Sequence, residues 1–310
     1  MINVAVVGIG YRFDYFYNEI KKRNINIICG YARSEKSREK ALKYNIKLVD
    51  DIKDIIKYKP DFVINTTSKD SNFEISNLFL ENNIKVLQET PVAVTNYGID
   101  LLSKYGNNLQ IAEQYQFYNY FKKIKLLINK LGDIEEIRIS YLHDYHMISI
   151  IRYLLGPLEK DTIFKGIAFK SFITHTKTRY DDFKDGIIKE YKTKNINFMW
   201  NNTRIYYDFN SEEYRSTIRN SYLIIRGSRG EIINDNLVYL DDANEAKHIF
   251  LDEFGIYDDT YPVGEVLDRM VKYVFGGIPL YPYLYALEDA KISIIMNSFD
   301  ENYKEIEYRR

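Results

Sequence analysis

Cysteine occurs once in these 310 residues and histidine four times, and 43 basic residues are offset by 44 acidic ones. One cysteine cannot staple a fold. Cys29 lies in an apolar segment, where it reads as a small buried filler rather than a nucleophilic thiol, and a reducing cytoplasm is the expected home. A net charge of -1 without any block of basic residues excludes binding to nucleic acid or to an anionic membrane surface by charge. No apolar run is long enough to span a bilayer, and the chain opens directly on a strand without a charged leader. Neither a membrane span nor a signal peptide is expected. Histidine is so sparse that a zinc site would have to draw on His143, Asp144 and His146, and no further ligand pattern accompanies them. Repeats, low-complexity stretches and long flexible linkers are also lacking.

What is present is an ordinary globular composition, 45% hydrophobic and 28% charged, at a length that suggests about two domains. The chain begins with an apolar strand, Ile2–Val7, followed at once by Gly8-Ile9-Gly10-Tyr11-Arg12-Phe13. Two glycines two residues apart between a buried strand and a helix let bare backbone approach a pyrophosphate at the helix N-terminus. A third glycine is missing, and Phe13 stands in its place. The alternative is an ordinary tight strand-to-helix turn. Phe13, Phe16, Tyr17 and Ile20 then keep the helical rhythm of a core-facing stripe.

A second strand, Ile25–Tyr31, ends in Ala32-Arg33-Ser34, with Arg38 one helical turn on. At this position an acidic residue holds the ribose hydroxyls of NAD, whereas arginine and hydroxyl groups suit the extra phosphate of NADP. The residues favour NADP, with Ser34 also able to cap the next helix. NAD stays open because Glu35 can act as the acidic partner, and surface arginines without a ligand are the plain alternative. Strands and helices keep alternating: helix 34–44, strand 47–49, helix 51–58, strand 61–65 ending in Thr66-Thr67-Ser68, helix 71–82 and strand 84–89. That alternation predicts a doubly wound parallel sheet, whose ligands sit outside the carboxyl ends of the strands. Gly8, Gly10, Arg33, Thr66, Thr67, Glu89 and Thr90 point to one crevice, joined by Tyr11, Arg12, Phe13, Ser34, Arg38, Ser68 and Pro91 as candidate cofactor contacts.

The order of strand, G-x-G, Ala32-Arg33-Ser34, Asp61-Phe62-Val63-Ile64-Asn65-Thr66-Thr67, Glu89-Thr90-Pro91 and Glu113-Gln114-Tyr115 resembles the Gfo/Idh/MocA oxidoreductases, the glucose-fructose oxidoreductase and inositol dehydrogenase family. Later landmarks are similar too: the stretch from Tyr222 to Ile232 with its paired glycines, and Tyr281-Pro282-Tyr283 opening a late helix. The resemblance implies an α/β Rossmann domain over 1–117 and, over 118–310, an α+β domain built on an open, mostly antiparallel sheet. It further implies hydride transfer at a carbonyl, hydroxyl or imine carbon of a small, sugar-like metabolite. A homodimer or homotetramer would form through the second domain's sheet. Two departures stand out. The lysine that in typical members polarises the reacting oxygen is replaced by Thr90, so that cation is gone. The aspartates flanking the family's histidine are replaced by Leu142 and Ser149.

His146 matches that histidine and is the expected acid/base group, with His143, Asp144 and Tyr115 as possible helpers. Met147, Ile150, Ile151, Leu154 and Leu155 make an apolar helix stripe beside it, and Asp144 is the expected N-cap. A histidine in a helix's first turn faces the positive dipole end, and neutral imidazole can take a substrate proton or donate to a carbonyl. The other reading is that both histidines merely cap and pack the joint; His175 and His248 are expected to have no special role. Glu113, at a strand's carboxyl end, and Tyr118 are candidate substrate contacts. After a linking helix over 119–131, strands are expected at 134–141, 163–172, 186–191, 204–209, 222–227 and 237–240, a turn at 234–236, and helices on the stripe Val263, Val266, Leu267, Met270, Val271, Val274 and over 284–299. Two functional readings follow: an NADP-dependent oxidoreductase, or a catalytically inactive dinucleotide-binding sensor or regulatory protein of the same fold.

Overall fold

The computed structural model describes residues 1–177, 181–212, 216–251 and 262–310. They fall into two compact units, treated separately below.

The first unit holds a five-stranded parallel sheet of β1 (Ile2–Val7), β2 (Ile25–Tyr31), β3 (Phe62–Asn65), β4 (Lys85–Gln88) and β5 (Leu109–Ile111), in the order β2-β1-β3-β4-β5. Val4, Ala5, Val6 and Val7 of β1, Phe62, Val63 and Ile64 of β3, and Val86 and Leu87 of β4 are all fully buried or nearly so. Burial on both faces is why these strands are continuous apolar runs rather than alternating ones. Between them run α1 (Tyr11–Ile20), α2 (Glu35–Lys43), a 3-10 segment Ile52–Tyr58, α3 (Asn72–Glu81) and α4 (Asn96–Leu102). The expected strand at 47–49 is reduced to a single bridge between Leu48 and Gly30, and its neighbour 52–58 is 3-10 rather than α-helical. Chain order reverses beside β1, whose neighbours are β2 and β3, so the crevice at a topological switch point opens where Gly8 and Thr66 end their strands.

Later chain returns to this unit. Residues 262–294 pack with it, whereas the sequence reading gives everything after 117 to a second domain. The stripe Val263, Val266, Leu267 and Met270 is buried on the helix Val263–Val274, and Asp268 receives Arg23 Nε at 2.7 Å. Tyr283 Oη donates to Leu102 O at 2.5 Å, and Leu280 N–H to Gln110 Oε1 at 2.7 Å. Sequence periodicity finds such a helix but cannot say which sheet it covers.

The second unit begins with α5 (Asn119–Leu127) and a 3-10 turn to Leu131, then β6 (Ile134–Ile139) and α6 (Asp144–Leu155). Its nine-stranded sheet continues with β7 (Thr162–Thr174), β8 (Ile188–Trp200), β9 (Thr203–Asn210), β10 (Leu223–Gly227), β11 (Gly230–Ile233), β12 (Asn236–Leu240), β13 (Ala246–Phe250) and β14 (Lys304–Tyr308). The order is β13-β12-β11-β10-β6-β9-β8-β7-β14, antiparallel throughout except where β6 lies parallel to β9. One face is apolar, with Ile196, Phe198, Ile205, Tyr207, Leu223 and Ile225 buried. Register alternates these with Asn195, Asn197, Arg204, Tyr206 and Arg226 on the other face. Asn234 adopts a left-handed φ of 55° in the hairpin between β11 and β12, the conformation that asparagine tolerates best after glycine.

Candidate functional site

Gly8 leaves β1 with φ of +85°, and a Cβ there would lie 2.7 Å from Thr67 N and 2.8 Å from the Thr66 carbonyl carbon. Only glycine lets the β1 and β3 tips meet this closely. Thr66 Oγ1 donates to Gly8 O, while Asn65, wholly buried, accepts from Thr67 Oγ1 at 2.6 Å and donates to Ser76 Oγ at 2.9 Å. Gly10 differs in kind. It is the N-cap of α1 with no side-chain cap, and a Cβ on it would meet nothing within 4 Å. The N-terminus of α1 thus starts at a residue with no side chain and open space where its Cβ would lie, as close backbone approach to a pyrophosphate requires.

Around this turn the candidates divide. Arg33 is exposed just after β2 and Arg38 half-buried on α2, and neither pairs with an acidic group among the described residues. Ser34 caps α2, accepting from Ser37 N–H at 3.3 Å, and keeps its hydroxyl on the surface. Arg12 is committed elsewhere: its Nε meets Glu89 Oε1 at 2.6 Å and its Nη2 meets Gln114 Oε1 at 2.7 Å. Arg12 and Glu89, both expected as cofactor contacts, thus form one ion pair at the end of β4. Phe13 has no exposed side-chain surface and packs against Tyr17 and Tyr44 with ring centroids 6.0 and 6.2 Å away. Its side chain is core, so only its backbone can serve a ligand. Tyr11 Oη meets Tyr15 Oη, Ser68 is exposed beside Ser71, and Thr90 and Pro91 are half-buried, with Pro91 O accepting from Asn72 and Gln88 amides at 3.0 and 2.9 Å.

One residue here escapes sequence reasoning. Lys40 of α2 donates to Gly10 O at 3.0 Å and pairs with Asp14 at 2.7 Å, tying α2 to the glycine turn. Its only sequence signal is its place one turn beyond the arginines. Glu113, a candidate substrate contact, is wholly buried and accepts from Tyr115 N–H at 3.0 Å. Tyr115 and Tyr118 are 9% and 7% exposed, so little of either phenol reaches solvent.

In the second unit His143 is the N-cap of α6, exposed, with its ring 4.8 Å from that of Phe209. His146 is half-buried in the first turn, its carbonyl accepting from Ser149 Oγ at 2.9 Å. Asp144 is not the N-cap expected from the sequence. It is the first helical residue, and its carboxylate accepts from Lys194 Nζ at 2.5 Å, Asn297 Nδ2 at 2.6 Å and Tyr207 Oη at 2.8 Å. A buried ammonium outcompetes the helix's own N–H groups for these oxygens. Burial, then the Asp144 charge, holds the Tyr207 phenol well above its ordinary range, so it acts as a donor. Asp144, expected as a helper to His146, thus ties the start of α6 to β8, β9 and Asn297. Lys194, Tyr207 and Asn297 lie 50, 63 and 153 residues from Asp144, beyond the reach of any motif.

With this geometry in view, comparison with known proteins is informative. Residues 2–110 match the family described as oxidoreductase family, NAD-binding Rossmann fold, GFO_IDH_MocA. Over these residues the chain is similar to the Gfo/Idh/MocA oxidoreductases. The whole chain shares its fold with solved oxidoreductases: a probable oxidoreductase, yhhX, is 16% identical with both chains fully covered and a TM-score of 0.74. An Agrobacterium radiobacter oxidoreductase in complex with NAD+, L-tartaric acid and magnesium is 14% identical over 94% of each chain, TM-score 0.70. Biliverdin reductase from Synechocystis, in complex with biliverdin and NADP+, is 15% identical over 96% of this chain and 98% of its own, TM-score 0.69. No curated protein matches the sequence. Among the described residues, no helix is long and apolar enough to cross a membrane.

Proposed function

We propose that this protein is an NADP-preferring oxidoreductase of the Gfo/Idh/MocA family that transfers a hydride to or from a carbonyl, hydroxyl or imine carbon of a small, sugar-like metabolite. The observation that carries the reading is the open space at Gly10 together with Arg33, just after β2, and Arg38 of α2, neither of which pairs with an acidic group among the described residues. The backbone N–H groups of α1 suit the pyrophosphate, Arg33 and Ser34 suit the 2′-phosphate, and Lys40 fixes the turn between them. When bound, the nicotinamide supplies or accepts the hydride. The chain's own task is to orient the carbon and manage one proton, which we assign to His146. With Thr90 where typical members place lysine, an imine substrate is favoured over a ketone, since a protonated imine is already electrophilic. Related solved proteins are complexed with either NAD+ or NADP+, so the preference rests on Arg33, Ser34 and Arg38 alone.

Thr90 also supports a second reading, a sensor or regulatory protein that holds the dinucleotide without turnover. His146→Ala separates them: the enzyme loses about 10²-fold or more in rate while still binding NADPH, judged by nucleotide fluorescence against a carbonyl and imine panel. No turnover in wild-type protein on any such substrate would favour the sensor. Assembly into a homodimer or homotetramer through the second sheet is proposed from its exposed apolar residues. Register places Phe169, Met199, Ile233 and Phe250 on the sheet face opposite the buried one. Monomeric mass at micromolar concentration would refute that assembly. A cytoplasmic setting is proposed from the single buried cysteine.

A further inference from the structure

We propose that Lys40 is the counter-charge that lets the first turn of α1 receive a dinucleotide, by cancelling the carboxylate of Asp14. This deepens the reading above and rests on its dinucleotide site. The helix whose N-terminus is to meet the pyrophosphate carries an acid in its own first turn, Asp14. A carboxylate there is drawn to the same positive helix end that a phosphate would use, and two negative groups at one helix end repel. Left bare, Asp14 would hold off the ligand for which Gly10 leaves room. Lys40 prevents this. Its ammonium lies 2.7 Å from Asp14 Oδ2 and donates to Gly10 O at 3.0 Å, so one cation stands against both the carboxylate and the glycine turn.

The remaining contact of this carboxylate is neutral. Asp14 Oδ1 accepts from Tyr44 Oη at 2.6 Å. Burial first, then the hydrogen bond to Asp14, pushes the Tyr44 phenol up to about 12, which keeps it a donor and not a second anion. Tyr44 is itself held by its stack on Tyr17, with ring centroids 3.8 Å apart. Among the described residues no cation other than Lys40 pairs with Asp14: Arg12 of α1 pairs with Glu89, and Lys22 and Arg23 pair with Glu19. The Lys40 and Asp14 side chains are 25% and 30% exposed, covered enough for their charges to be felt at the turn and open enough for salt to screen them. Lys40 is thus a positioning residue that acts through Asp14 at the turn common to both nucleotides. It serves NADH and NADPH alike, unlike Arg33.

The test titrates the full chain with NADH and with NADPH by nucleotide fluorescence, at about 0.05 M and about 0.5 M salt. At the lower salt Lys40→Met leaves one uncompensated negative charge and is expected to weaken both nucleotides about 5- to 30-fold. Asp14→Asn leaves the ammonium and tightens both about 2- to 5-fold, and the double variant returns to within about threefold of wild type. Raising the salt shrinks the Lys40→Met deficit to about threefold or less. A merely loosened turn would give neither the opposite signs nor the salt dependence. Affinity within about twofold of wild type in Lys40→Met, a double variant as weak as Lys40→Met, a deficit indifferent to salt, or a loss confined to NADPH overturns the proposal. Should Lys40→Met fail to fold, Lys40→Gln, which keeps a hydrogen-bond donor without the charge, takes its place. Wild-type protein that binds neither nucleotide overturns the dinucleotide reading itself, whereas failed variants beside an intact wild type overturn only the role of Lys40.

Discussion

The two glycines of the first turn make opposite predictions. At Gly8 an alanine would have to adopt φ of +85°, which costs about 1–2 kcal/mol for a residue with a Cβ. Its methyl would also lie within 2.8 Å of backbone atoms of Thr66 and Thr67, which no side-chain rotation relieves. With the overpacking included, Gly8→Ala should lose about 2–4 kcal/mol, a large share of a typical domain's stability. At Gly10 the backbone is ordinary, φ of -97°, and the methyl meets no protein atom. Gly10→Ala should therefore keep stability within about 1 kcal/mol of wild type. It fills the space into which a pyrophosphate must come, however. Losing one charge-assisted hydrogen bond there, about 1.5–3 kcal/mol, weakens dinucleotide binding about 10- to 150-fold. Urea unfolding and NADPH fluorescence titration of both variants form the assay. Unchanged nucleotide affinity in Gly10→Ala would refute the pyrophosphate site at Gly10; wild-type stability in Gly8→Ala would refute the strand-tip contact.

Further outcomes follow from other parts of the chain. Arg33→Ala should weaken NADPH about tenfold or more and leave NADH nearly unaffected, and a change that is equal for both would remove Arg33 from the phosphate. Burial pushes the Cys29 thiol up to about 11, so at pH 8 it should react with a thiol reagent only in urea; native labelling at the denatured rate would contradict its burial. For Glu212, burial pushes the carboxyl up, but hydrogen bonds from Thr176 N–H, Tyr191 and His175 outweigh it and hold the group below its ordinary value. A depressed carboxyl contributes stability above its unfolded value and loses it as pH falls through the folded one. Glu212→Gln should accordingly be less stable than wild type at pH 7, with the gap closing toward pH 3; a gap independent of pH would show that the charge is irrelevant. Lys194→Met should cost about 3–5 kcal/mol through the carboxylate it strands, and the double variant with Asp144→Asn should recover much of it in the same urea experiment.

Local regularities carried most of the first unit. Continuous apolar runs mark strands buried on both faces, the 3.6 rhythm of Phe13, Phe16, Tyr17 and Ile20 marks the helix between them, and a parallel sheet forces their carboxyl ends to one side. That is why Gly8, Gly10, Thr66 and Arg33 could be assigned to strand ends from their positions in the chain alone. The same rules lost β11, β13 and β14. β11 is four residues with glycine at one end, and β14 alternates charged residues with Ile306 and Tyr308, as suits an edge strand.

Sequence by itself determined the parallel sheet, its glycine turn and the histidines at the head of α6, because each is set by neighbours within a few residues. Tertiary structure alone decided that residues 262–294 return to the first unit, that Glu89 neutralises Arg12, and that Asp144 abandons its helix for Lys194, Tyr207 and Asn297. Burial makes an unpaired charge far more costly than an uncapped helix end, so the partner that wins is whichever one the packing brings close, however distant along the chain.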